Sequence, residues 1–107
     1  MSEPTVISKL NVVAGSIQLQ DCTLYAHRCA IVENHHVVPK SWWVAAGLPI
    51  TSPMKVLCPN CHYNTHAAID ALLRGLDVSA LPPRCVNLAR TAMLLAIQNG
   101  LTPAPTL

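Results

Sequence analysis

Apolar and polar positions alternate along the chain in two distinct rhythms. Residues 30–38, AIVENHHVV, are dense in β-branched side chains and stop at Pro39, which predicts a strand ending there. Lys55-Val56-Leu57 is a second short stretch of strand character, long enough to pair with the first. A helical rhythm follows from about residue 61 to 73, with Gly75 just past its expected end. Pro82-Pro83 interrupts the chain. Residues 84–99, RCVNLARTAMLLAIQN, then predict another helix, with Gly100 as its stop. That helix is apolar on two sides: Val86, Ala89, Met93 and Ile97 on one, Cys85, Leu88, Ala92 and Leu95 on the other. Such a helix either crosses a core or meets another subunit. Upstream, Ile17-Gln18-Leu19-Gln20 alternates as a half-buried strand does, after a turn at Gly15-Ser16. Between the two central strands, three prolines and a glycine surround Trp42-Trp43. The expectation is a short helix over 42–46 stopped at Gly47, with loop elsewhere and the Trp pair packing that loop onto the core. Cys58-Pro59-Asn60-Cys61 reads as a tight turn, and the tail LTPAPTL (101–107) as flexible.

Composition sharpens this outline. A chain of 107 residues makes one domain (1–107) with one modest core. It is 51% hydrophobic and 11% charged, which excludes a disordered chain. Two Trp, two Tyr and no Phe leave a core of small aliphatic side chains, the kind that gains from a metal staple. The net charge of +2 permits a polyanionic partner without demanding one. The N-terminus does not read as a secretory signal, and no stretch is long and apolar enough to span a membrane. Five cysteines are an odd number for disulfides, and two have knuckle spacing, so a reducing cytoplasm with thiols free to bind zinc is expected.

The densest chemistry lies in Cys58-x2-Cys61-His62-x3-His66. On a helix, His62 and His66 are one turn apart on one face and can ligate one ion. Cys61 lies about 100° around the helix from His62, beside Cys58. The segment can therefore serve two metals: a structural zinc in a closed thiolate shell, and an open-sided ion held by imidazoles. Cys22 and Cys29 are the best remaining thiols for the zinc, with His27 as the alternative ligand. Cys85, on the apolar C-terminal helix, reads as a core thiol. His35 and His36 are neighbours on a strand and point to opposite faces unless the strand ends or twists there. One of them can complete the shell of His62 and His66 while the other stands free as a base. Glu33 is a candidate to orient His35 or a neighbouring ring. Arg28, Lys40, Lys55 and Arg74 are candidate phosphate contacts.

Glu33-Asn34-His35-His36-Val37-Val38-Pro39, followed by Leu57-Cys58-x2-Cys61-His62-x3-His66, resembles the His-Asn-His (HNH) endonucleases. The match covers roughly residues 22–75, and the chain looks most like the small HNH proteins encoded by bacteriophages, often near DNA-packaging genes. The resemblance implies an α+β fold with a ββα-metal, treble-clef-like core (about 20–76), a zinc knuckle, an N-terminal strand region and the C-terminal helix 84–99. It makes His36 the general base, His35, His62 and His66 the ligands of a catalytic divalent cation, and Cys58 and Cys61 part of the zinc knuckle. His35, His36 and His62 are then the catalytic set. Zn, Ni, Co and Mn suit three imidazoles, and members with fewer histidines use Mg. The implied reaction is hydrolysis of DNA phosphodiester bonds to 5′-phosphate and 3′-hydroxyl ends, in a host-cell cytoplasm, with a phage terminase as a further partner. One position departs from the family: where it carries a central Asn, this chain has Pro53, preceded by Thr51 and Ser52. The Pro carbonyl can still accept a hydrogen bond, and Thr51 or Ser52 can replace the lost side chain. The competing reading is a non-cutting zinc-knuckle module that binds nucleic acid or assists a terminase; it needs the cysteines and none of the four histidines.

Overall fold

The computed structural model describes residues 12–13, 16–17, 20–25 and 28–105. It is α+β, with short antiparallel two-stranded ladders and three helices. Strand β1 (Val12–Val13) pairs with β2 (Ser16–Ile17), and β3 (Gln20–Asp21) with β4 (Arg28–Cys29). Of the strand expected over 17–20, Ile17 falls in β2 and Gln20 in β3; residues 18–19 and the predicted turn residue Gly15 lie outside the described residues.

The central hairpin joins β5 (Glu33–His36) to β6 (Met54–Leu57), with Glu33 opposite Leu57 and His35 opposite Lys55. The first strand is shorter than the sequence predicts. Its last two β-branched residues, Val37 and Val38, leave the ladder to bury in the core and bond to the loop instead. Val37 donates its N–H to the Pro53 carbonyl at 2.9 Å, and Val38 donates to the Ser52 hydroxyl at 2.8 Å. Ser52 in turn donates to the Pro53 carbonyl at 2.8 Å. These bonds close a long excursion that contains α1 (Lys40–Ala46), ended by Gly47 at a left-handed φ of 70°. Trp42 and Trp43 are both buried, as expected of a loop-to-core pair. The Trp43 indole donates to the Val38 carbonyl at 3.3 Å. The Trp42 indole donates to the carbonyl of Ala104 at 2.7 Å. The tail, expected to be flexible, is therefore anchored up to that point; Leu101 is also buried, while 106–107 lie outside the described residues.

Helix α2 spans Pro59–Leu73. The predicted turn over 58–61 is instead its cap and first turn. Pro59 stands where a missing N–H costs nothing, and Cys58 is the N-cap, its sulfur accepting from the Cys61 N–H at 3.4 Å. The buried stripe of α2 runs through Cys61, His62, Thr65, Ala68 and Ile69. Helix α3 (Pro83–Gln98) packs along it through Cys85, Ala89, Ala92 and Ala96, small side chains that let the two backbones approach. The two apolar sides read in the sequence merge into this one stripe. Met93 and Leu95 are only half-buried, and Leu94 and Ile97 face outward. Among the described residues, no helix is long and apolar enough to cross a membrane.

Candidate metal centres

Two groups of ligating side chains flank the start of α2. In the first, the sulfurs of Cys22, Cys58 and Cys61 lie within 4.8 Å of one another, and all three residues are buried. Cys22 follows β3 and opens the turn over 23–25. Burial works to raise its pKa, but the backbone N–H groups of Cys58, Tyr25 and Leu24 outweigh it and draw the thiol down toward the thiolate. Cys61 moves the other way: burial, then its bonds with the Cys58 and Cys22 sulfurs, push its thiol far up. One thiol drawn down beside one pushed up is what three crowded sulfurs do without a cation to share. A metal would displace the protons, so affinity should rise with pH. Cys29, expected as a fourth ligand, is half-buried on β4 and stands outside the group; His27, the alternative, lies outside the described residues.

The second group brings the strand and the helix together. Donor atoms of His35, His62 and His66 lie within 4.8 Å of one another. Their ring centroids form a nearly equilateral triangle of 5.0, 5.1 and 5.0 Å. Glu33 is next but one to His35 on β5, so both point inward, and its Oε1 lies 2.7 Å from Nδ1 of His62. A carboxylate can only accept, so that nitrogen carries the proton and Nε2 of His62 presents a lone pair to the centre. The Nε2 atoms of His62 and His66 are 3.2 Å apart. That is a hydrogen-bond distance, and also close to the roughly 3.3 Å between two nitrogens held tetrahedrally at zinc–nitrogen bond lengths.

His35 bears on that choice. Its side chain is fully buried, yet neither ring nitrogen has a hydrogen-bond partner among the described residues. A buried polar group left so costs about 1–3 kcal/mol. A cation at the centre of the triangle would give one of the two nitrogens a partner. Burial, followed by the charges of His66 and His62, lowers the pKa of His35 from 6.5 to about 3. His66 is lowered to about 4, first by burial and next by His62. Both rings are thus neutral, with lone pairs available, across the physiological range.

His36 ends β5, half-buried and outside the three-histidine group; its charge is a minor contributor to the lowered pKa of His35. Lys55, opposite His35 on the hairpin, is exposed, as is Arg74 at the end of α2. Lys40 is half-buried at the start of α1, and the side chain of Arg28 lies outside the described residues. Asp70 is a residue the sequence reading missed. It sits one helical turn beyond His66, is buried, and its charge opposes the fall in the His66 pKa. Its i+4 spacing from His66 was the available signal. Compared with known proteins, the chain matches no family model, no curated protein and no solved structure.

Proposed function

We propose that the chain is a metal-dependent DNA endonuclease of the HNH type, built on a ββα-metal core that consists of β5, β6 and α2. The observation that carries this reading is the triangle of His35, His62 and His66 around the partnerless ring of His35. The donor set fits a divalent cation: the imidazoles of His35 and His66, kept neutral by burial, and that of His62, oriented by a carboxylate, with His66 partly exposed on the open side. When bound there, such an ion offsets charge that builds on a scissile phosphate and on its leaving oxygen.

The chain's own residues supply the rest. Glu33 holds His62 in the tautomer that faces the centre. His36, beside the group but not in it, accepts a proton from the attacking water. Lys55 and Arg74, both exposed, would meet neighbouring phosphates in this reading. Ser52 and the Pro53 carbonyl fasten the backbone just after His36, replacing the steadying effect of the family's Asn. A bacteriophage origin and a terminase partner belong to the same reading.

A second reading has its own support. The thiol group contains no histidine, which is the arrangement that a non-cutting knuckle binding nucleic acid or assisting a terminase would need. Plasmid DNA incubated with Ni, Mn or Mg separates the two. The wild type is expected to nick, and His36→Ala to nick about 100- to 10,000-fold more slowly while still binding the cation. Undiminished nicking by His36→Ala removes that residue as the base. A wild type that binds DNA but does not cut it in the presence of any of these metals favours the second reading.

A further inference from the structure

A knuckle of the Cys-x2-Cys kind carries its second thiol three residues after the first, as Cys58 and Cys61 do. Three residues after Cys22 stands Tyr25. The backbone nevertheless folds as a knuckle: residues 23–25 turn, with the N–H groups of Leu24 and Tyr25 bearing on the Cys22 sulfur.

What comes to that turn is the start of α3. Pro82 gives this helix no side-chain cap, and the Tyr25 hydroxyl serves in its place, accepting from the Arg84 backbone N–H at 3.1 Å. The Arg84 guanidinium lies 5.1 Å from the centre of the Tyr25 ring and donates to the Leu24 carbonyl at 2.9 Å. Three contacts thus fasten the first turn of α3 to the turn that follows Cys22. The next residue is Cys85. It is fully buried, and its thiol faces the Cys61 carbonyl at 3.7 Å.

We propose that Cys85 is the fourth ligand of the structural metal, in the place that Tyr25 vacates. This rests on the reading that Cys22, Cys58 and Cys61 hold such a metal. Three thiolates leave a tetrahedral ion one position short. The three residues are 0%, 6% and 6% exposed, so bulk water does not supply the fourth donor. Cys85 stands outside their 4.8 Å group, its thiol in a long contact with the Cys61 carbonyl and hydrogen-bonded to the side chains of Thr65 and Cys61. The hydrogen bond between its sulfur and the Cys61 side chain already brings Cys85 to the edge of the group, and a metal–thiolate bond would replace these weaker thiol contacts. Four thiolates from three segments (the turn after β3, the start of α2 and the start of α3) would then close the shell.

X-ray absorption at the zinc edge counts the sulfurs in the zinc-loaded full chain. The wild type and Cys29→Ser are both expected to show four sulfurs. Cys85→Ser is expected to show three, with a lighter donor in the fourth position. A sulfur lost in Cys29→Ser, or a nitrogen in the wild-type shell, overturns the assignment in favour of Cys29 or His27. A wild type that takes up no zinc at all overturns the underlying reading of the thiols as well. Because Cys29→Ser leaves Cys85 in place, the assignment is decided even if Cys85→Ser does not fold.

Discussion

The thiol group and the imidazole group lie side by side on one helix, yet they are held in different ways. Cys61 and His62 are consecutive, and each serves a different centre. The thiols are enclosed on all sides, and Cys22 is braced by backbone N–H groups, which side-chain substitution cannot remove. The imidazoles are braced by a side chain, Glu33, and one of them, His66, reaches partial exposure. A centre enclosed by backbone is suited to holding the fold. A centre steadied by a carboxylate and open on one side is suited to exchanging ligands. The comparison predicts that damage at the thiols spreads to the imidazoles, whereas damage at the imidazoles stays local.

The largest test of that asymmetry is Cys58→Ser. It removes a ligand and alters the cap of α2, so it should abolish tight zinc binding and cooperative thermal unfolding together. Structural zinc contributes on the order of 10 kcal/mol in small domains. Metal analysis and a melting curve check this, and a variant that keeps its cooperative melt without zinc breaks the comparison. Next is His62→Ala. It should keep the tightly held zinc and the melt but lose the exchangeable cation, with DNA nicking down by about 100-fold or more. Loss of the zinc in that variant would show that the two centres are not separable. Glu33→Gln is milder. The amide can still accept from His62 but carries no charge, and cation affinity should fall by about 10- to 100-fold in a calorimetric titration.

The remaining test is with pH, in protein stripped of the exchangeable cation. An unfolded chain protonates its histidines near 6.5, whereas folded His35 and His66 refuse protons until about 3 and 4. Stability should therefore hold above pH 6.5 and decline as the pH falls from there toward 4. Denaturant midpoints measured across that window check the sign. A midpoint that rises on acidification would mean that one of these rings charges readily in the folded state.

Much of the candidate site was legible because it depends on spacing. His62-x3-His66 fixes two rings on one helical face whatever surrounds them, and the short stretch before Pro39 set His35 on a strand that could reach them. Glu33 was readable as an orienting carboxylate, though not that His62 would be its partner, since that depends on the register of β5 against β6 and on the roll of α2. Pro59 and Asn60 misled: both residues favour turns, but proline also suits the first position of a helix, and the capping sulfur of Cys58 decided the matter. The fourth thiol could not be read locally. Cys85 comes near the others through the packing of α3 on α2 and through Tyr25 and Arg84, 59 residues apart, which fasten α3 to the turn after Cys22.

The direct adjacency of Cys61 and His62 makes α2 behave like a camshaft. The angle between its two lobes is set by a single peptide bond, and one inserted residue there would swing every downstream ring by about 100° and advance it by about 1.5 Å. No loop lies between the lobes to absorb such a change. Variation in this protein should therefore accumulate in the excursion around α1, which the Ser52 and Pro53 bonds pinch off at its base, while the interval between sulfur and imidazole on α2 stays invariant.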